Sequence, residues 1–311
     1  MKKKVIIIAG PTATGKSDVA IELAQKLNGE IISADSMCVY KYMDIGTAKP
    51  SIDQRNLVKH YLIDIVFPNE DYNVAKFQKD ATLAIDEIYE KNKIPIIVGG
   101  TGFYIKSLMD MTKFPETSTD PRLREYLYNL ANDMGNNYVY QMLQKIDEVA
   151  ARNVHPNNLK RVIRYIEIYE QTKRKPSEFL DQIKNCQNQA FDFKAICFQI
   201  DRQLLYQRIN LRVDKMISAG LIDEVEKLLN MGYSKELKSM QGLGYKQIIP
   251  YLEGKLSKED AIDELKLRTR QFAKRQIIWF KYQGEFNYLD ITNLDFSNLV
   301  KKCFDICKSV V

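Results

Sequence analysis

The residues with the clearest chemistry are Gly10 to Ser17, GPTATGKS, directly after the apolar run Val5-Ile6-Ile7-Ile8-Ala9. The spacing G-x-x-x-x-G-K-[ST] between a strand and a helix is that of a phosphate-binding loop, and the helical run Asp18 to Leu27 completes its context. Gly10 and Gly15 let the backbone curl, so that the segment Pro11, Thr12, Ala13 and Thr14 wraps an anion facing N–H groups and the helix N-terminus. Lys16 adds a point charge on the outer phosphate, and the Ser17 hydroxyl is offered to Mg²⁺.

The elements that must position this loop are strands alternating with helices, the pattern of a parallel sheet with crossover helices. Strands are expected at Lys4 to Ala9, Glu30 to Ala34, His60 to Val66 and Ile94 to Gly99, with a helix over Val74 to Lys91. A fifth, Lys194 to Ile200, follows a long excursion. Ser118-Thr119-Asp120-Pro121 caps a helical run from about Arg122, and further helical patterns reach Leu143, Val162 to Tyr169 and Pro176 to Ile183. The expected organisation is a core of residues 1–114 and 194–311 with a mostly α-helical insertion, 115–193. Leu204 to Leu229 reads as one long helix with Ile209, Val213, Met216 and Ile217 inward, and Lys255 to Tyr282 as another.

In such sheets ligands bind at the carboxyl ends of the strands. Four features fall there: the phosphate loop, Asp35-Ser36 after the second strand, Thr101 in GGTGFY after the fourth, and an Arg-bearing helix after the fifth. Asp35 is suited to accept a proton from a nucleophile poised against the phosphates; its other reading is a turn cap with Ser36. Asp64 has the place of a Mg²⁺-holding acid but reads equally as a strand-ending turn residue. Arg208 and Arg212, four apart, share a helix face, where they either clamp a departing phosphate or lie at the surface. His60 and His155 form no ligand pattern.

Hydrophobic residues make up 45% and charged residues 28%, and no apolar run reaches the length of a membrane span, so a membrane protein is excluded. Met1-Lys2-Lys3-Lys4 precedes too short an apolar run for a secretory signal. Cys38, Cys186, Cys197, Cys303 and Cys307 are odd in number and scattered, which suits reduced thiols in a cytoplasmic protein. A net charge of +6 does not by itself imply nucleic acid, but its distribution is uneven. From Lys266 to Lys281 there are six cations (Lys266, Arg268, Arg270, Lys274, Arg275, Lys281) and no acid, and from Arg152 to Lys175 seven cations face two acids. Polyanion contact is expected of the first run in particular.

GPTATGKS, ISADSMCVYKYMDIGTAKP (Ile32 to Pro50), GGTGFY, HPNNLKRVIRYIE (His155 to Glu167), LYQRINLRVDKMISAGLIDEV (Leu205 to Val225), GLGYKQ (Gly242 to Gln247) and TRQFAKRQIIWF (Thr269 to Phe280) together resemble the bacterial tRNA dimethylallyltransferases. The resemblance implies a P-loop nucleoside-triphosphate-hydrolase-like core. It implies transfer of a dimethylallyl group from dimethylallyl diphosphate to N6 of an adenosine on the 3′ side of the anticodon in tRNA. Partners would be that diphosphate with Mg²⁺ and the anticodon stem-loop, with the protein acting as a monomer. On this reading the loop, Lys16 and Arg212 bind the leaving diphosphate, Asp35 takes the N6 proton, and Thr101 sits at the reaction centre. Asp35, Ser36, Met37 and Cys38 lie against the target nucleotide. Arg124, Lys160, Arg161, Arg164 and the helix carrying Arg268, Arg270, Lys274 and Arg275 contact tRNA. Cys38 stands where the family commonly has Gln.

The same first hundred residues suit a P-loop small-molecule or nucleotide kinase, prenyl transfer to free AMP, or a non-enzymatic RNA-binding NTPase switch. The basic segments and the large insertion speak for an RNA acceptor.

Overall fold

The computed structural model describes residues 2–112, 114–115, 117–179 and 190–308; Cys186 and part of the helical pattern expected over 176–183 lie outside the described residues. The chain divides into two compact units, one of Met1–Met109 with Gln189–Val311 and one of Asp110–Asn188.

In the first unit, strands β1 (Lys3–Ala9), β2 (Gly29–Ser33), β3 (His60–Tyr61), β4 (Ile94–Gly99), β5 (Phe191–Gln199) and β6 (Asn287–Asp290) form one sheet, ordered β3-β2-β4-β1-β5-β6. All neighbouring strands are parallel. Helices of this unit are α1 (Lys16–Lys26), α2 (Ile52–Leu57), α3 (Val74–Glu90) and α4 (Gly102–Met109). After the second unit's α5 (Pro121–Met134), α6 (Asn136–Ile146), α7 (Glu148–Arg152) and α8 (Leu159–Thr172) come α9 (Arg202–Ser218), α10 (Leu221–Asn230), α11 (Tyr245–Leu252), α12 (Lys258–Gln283) and α13 (Phe296–Cys307).

A parallel strand covered on both faces needs apolar side chains on both, which is why β1 is a continuous run and not an alternation. Ile6, Ile8, Ile31, Ile96, Ile196 and Phe198 pack with Val19, Leu23 and Ala24 of α1 and with Leu299, Val300 and Cys303 of α13. Ile7, Ile32 and Ile97 alternate to the opposite face and are equally buried. α3, which contacts β2 and β4, buries Phe77, Ala81, Ile85 and Ile88.

Two expectations are corrected, and a sixth strand is added. The third strand stops at Tyr61, because Leu62 and Asp64 take left-handed backbone (φ 62° and 57°) that a strand cannot hold. The long helix after β5 breaks at Gly220 (φ 96°), leaving α9 and α10. The edge strand β6 was invisible as a pattern: Asn-Tyr-Leu-Asp has no apolar run, and only pairing with β5 makes it a strand.

The second unit packs α5 to α8 around Leu127, Val139, Leu143, Ala150, Val162 and Ile166. Asp120 caps α5 by accepting from Leu123 N, with Pro121 next in line. Inside sits the fully buried Glu167, which accepts from Arg124 Nε and Nη2 (2.9 and 2.8 Å), Arg164 Nη1 (2.7 Å) and Asp120 N (2.7 Å). Burial pushes its pKa up, but these donors outweigh burial and hold it below the ordinary glutamate value. The stabilisation is therefore present above the unfolded-state pKa and lost as pH falls through the folded one. Glu167→Ala strands two guanidinium groups and is expected to cost about 3 kcal/mol, the low end for a broken buried pair because both arginines keep some water contact. A urea melt of the variant should show a lower midpoint and a weaker loss of stability on acidification.

Candidate active site

The phosphate loop leaves β1 at Gly10, whose φ of 138° and close approach to Phe198 (3.1 Å from a virtual Cβ to its carbonyl oxygen) admit no side chain. Ala13 is held left-handed at φ 63°, a strained state for an L residue that persists where a loop is shaped for a ligand. Thr14 Oγ1 donates to Pro11 O (2.8 Å), closing the loop on itself. Gly15, also left-handed, caps α1 without a side-chain hydrogen bond, so the first-turn N–H groups of α1 stay available to an anion. Lys16 is buried, its Nζ donating to Pro11 O (2.5 Å) and Thr14 Oγ1 (3.3 Å). Burial chiefly, and then the charge of Arg212, lower its pKa to about 7, against the opposing pull of Asp35.

Asp35 and Thr101 are brought together because β2 and β4 are neighbours. Ala34 N donates to Val98 O (2.7 Å) and Thr101 N to Ala34 O (3.2 Å), so the two strand ends are stitched one residue before the chemistry. Gly99 makes this possible: a Cβ there would lie 2.1 Å from Ala34 O. Thr101 Oγ1 accepts from Ser36 N (3.1 Å), and Asp35 Oδ1 accepts from Met37 N (2.8 Å), which leaves Oδ2 available to a ligand.

Arg212 enters from α9. Burial lowers its guanidinium pKa against the opposing pull of the Asp35 charge, placing it in the same electrostatic cluster as Lys16. Arg208, expected beside it, does not line the cleft; one helix turn moves it off the cradle side. The cleft, about 570 Å³, is bounded by residues 12–18, 35–38, 46–50 and 99–101, by Arg212, and by Arg268, Phe272, Arg275 and Gln276 of α12.

Other expected residues are placed differently from one another. Cys38 lines the cleft but is buried, its thiol directed to Thr47 O, and burial followed by the Asp35 charge raises its pKa well above the ordinary value, so it is a neutral thiol. Asp64 is held by Lys49 (2.6 Å) and Arg55 (2.6 Å) and does not line the cleft, which makes it a structural acid. Within the acid-free run on α12, Lys266 pairs with Asp214 of α9 (2.7 Å), Arg268 with Glu264 one turn earlier (2.6 Å), and Arg270 bonds Asn210 (2.8 Å). The missing acids are supplied from outside the window. Lys274, Arg275 and Lys281 remain at the surface, with Arg275 over the Phe272 ring. In the second unit Arg124 and Arg164 are turned to Glu167, while Lys160 and Arg161 are exposed.

Sequence reasoning missed Glu224, Lys49 and Gln276. Glu224 accepts from the N–H groups of Asp44, Ile45 and Gly46 (2.8 to 3.0 Å) and from Tyr245 OH (2.7 Å), fixing the loop that forms one cleft wall. Lys49, almost fully buried, donates to Tyr40 O, Asp44 and Asp64 behind the same wall. All three lie inside conspicuous motifs, but the partners of Glu224 and Gln276 lie some 180 and 264 residues away and leave no local spacing to read.

Mg²⁺ fits this donor set only as a companion of the phosphates. Among the described residues no three His, Cys, Asp or Glu side chains cluster as a metal site, whereas a hard cation that keeps its waters and binds substrate oxygens needs little more than the Ser17 hydroxyl.

A cleft at the carboxyl ends of parallel strands, floored by a phosphate loop and walled by a carboxylate and an arginine, is that of an enzyme with the P-loop nucleoside-triphosphate-hydrolase-like fold. The family model described as IPP transferase matches residues 38–283. The tRNA dimethylallyltransferases of Caldicellulosiruptor saccharolyticus and Caldicellulosiruptor bescii are 63% and 61% identical, each over 100% of this chain and 99% of the relative. The crystal structure of the full-length tRNA isopentenylpyrophosphate transferase from Bacillus halodurans superposes with a TM-score of 0.74 at 39% identity, covering 99% of this chain and 97% of that one. A eukaryotic dimethylallyltransferase crystallised acting on tRNA gives a TM-score of 0.82 at 34% identity, over 99% of this chain and 79% of that one. The chain belongs to the IPP transferase family.

Proposed function

We propose that this chain transfers the dimethylallyl group of dimethylallyl diphosphate to N6 of the adenosine on the 3′ side of the anticodon in tRNA, releasing diphosphate, in the cytoplasm and as a monomer. Family membership carries the tRNA dimethylallyltransferase activity; the position and the residue roles are our reading. The observation that supports it best is one cleft holding Lys16, Arg212, Asp35 and Thr101 together.

An adenine amino group is a weak nucleophile because its lone pair is delocalised into the ring. The allylic carbon must therefore gain cationic character as its bond to oxygen breaks, and the enzyme's largest task is to hold the departing charge. The α1 N-terminus, Lys16 and Arg212 do this. Ser17 would help hold Mg²⁺, which would neutralise further charge on the leaving group. As the N6–carbon bond forms, Asp35 accepts the N6 proton, and Thr101 Oγ1, fixed by Ser36 N, lies beside the reacting atoms. The target base must leave its stack to reach the cleft. Phe272 and Arg275, on the cleft wall, offer it a new surface. Lys274, Lys281, Lys160 and Arg161 would meet the phosphate backbone.

The test is a product assay with Mg²⁺, either dimethylallyl diphosphate or ATP, and either unmodified tRNA or AMP, read by mass. Prenylated tRNA without ATP consumption is expected. A phosphorylated product, or ATP hydrolysis stimulated by RNA, would overturn the reading.

A further inference from the structure

We propose that Gln276 is a positioning residue that fastens the phosphate loop to the Thr101 loop and so sets the cradle's affinity for diphosphate. The residue is 6% exposed, and both ends of the amide are used: Oε1 accepts from Thr12 N (2.9 Å) and Nε2 donates to Gly100 O (2.9 Å). A single buried amide thus joins the loops that carry Lys16 and Thr101.

The glycines of GGTGFY show how closely α12 is seated. A Cβ at Gly100 would lie 2.2 Å from Gln276 Nε2, and one at Gly102 would lie 2.1 Å from the Trp279 ring. Thr101 is therefore flanked on both sides by glycines that exist to admit side chains of α12. Removing the amide leaves a half-buried N–H and C=O without partners, and each loop would then relax toward water. The geometry of Thr12 would change with no direct loss of a phosphate contact. Because α12 also presents Lys274 and Arg275 outward, the same amide links a surface suited to RNA with the cradle.

The inference rests on the reading of the cleft as a diphosphate site, and its test uses inorganic diphosphate with Mg²⁺, measured by calorimetry without any transfer. In Gln276→Glu one carboxylate oxygen still accepts from Thr12 N, but the other faces the Gly100 carbonyl and repels it. Protonation of the introduced carboxyl, favoured by its burial, restores a donor toward Gly100 O. The variant's dissociation constant relative to wild type should be raised about tenfold at about pH 8.5 and return to within about twofold at about pH 6. Titration of Lys16 is common to both proteins and cancels in the ratio. Gln276→Leu should be weakened about equally at both pH values. A ratio for Gln276→Glu that stays near one at both pH values, or that does not change with pH, overturns the positioning role; wild type that fails to bind diphosphate overturns the underlying reading instead. Melting temperatures of both variants, taken at each pH, identify a loss that is merely one of folding.

Discussion

Asp35→Asn is expected to lower single-turnover transfer by about 10² to 10⁴, the range for losing a general base, while inorganic diphosphate binds within a few-fold of wild type at about pH 7. Asparagine keeps an oxygen for Met37 N, so the turn after β2 survives and the change is confined to proton acceptance. On the proposed reading Asp35 faces N6 and not the diphosphate; its charge opposes an incoming anion and supports Lys16 and Arg212, two effects expected to offset each other near neutrality. Rapid-quench kinetics with saturating prenyl donor, beside calorimetry with diphosphate, separates the two. Parallel loss of transfer and of diphosphate affinity would remove Asp35 from the role of base.

Lys16→Ala should behave differently, weakening diphosphate binding by about 10- to 100-fold, as for a charged hydrogen bond, and transfer by more, since leaving-group charge is greatest in the transition state. The pH dependence carries a sharper signature. Lys16 in the free protein titrates at about 7, lowered first by burial and then by Arg212. A bound diphosphate brings negative charge and raises that pKa, so binding takes up a proton above about pH 7. Wild-type affinity should fall by up to about tenfold per unit as pH rises past about 7, and Lys16→Ala should lack this slope. Calorimetry in buffers of different ionisation enthalpy detects the proton directly; no uptake at about pH 8 would refute the assignment. The same shift predicts that the ligand-free protein gains stability as pH rises from about 7 toward the unfolded lysine value, because the unfolded state binds the extra proton there.

The phosphate loop alone suits a kinase or a nucleotide switch as well as a prenyl transferase, since all of them must hold a phosphate chain at a helix N-terminus. What distinguishes this cleft is its far wall. Residues 46–50, pinned by Glu224 of α10 and by the ion pair of Lys49 with Asp64, together with Phe272 and Gln276 on α12, give the cradle a second half shared by that loop and the C-terminal helices.

Amino-acid type and spacing by themselves pointed to the strand–loop–helix of the cradle, the alternation of strands and helices and the run of helical patterns after β4, because each is written in contacts a few residues apart; the strand order β3-β2-β4-β1-β5-β6 is not, since it rests on pairings between distant segments. Asp35 and Thr101 were legible for a related reason: each ends a buried strand, and in a parallel sheet the strand ends converge. The tertiary structure alone decided which charges are free. Arg208 and Arg212 share a helix face, yet only Arg212 lines the cleft. The sixteen-residue run from Lys266 to Lys281 contains no acid, yet Lys266 finds Asp214 across a helix pair. Arg124 and Arg164 are absorbed by a buried glutamate. Charge neutralisation and burial depend on neighbours in space, and the partners of Glu224 and Gln276 lie some 180 and 264 residues away. Local periodicity encodes the first kind of fact and carries no trace of the second.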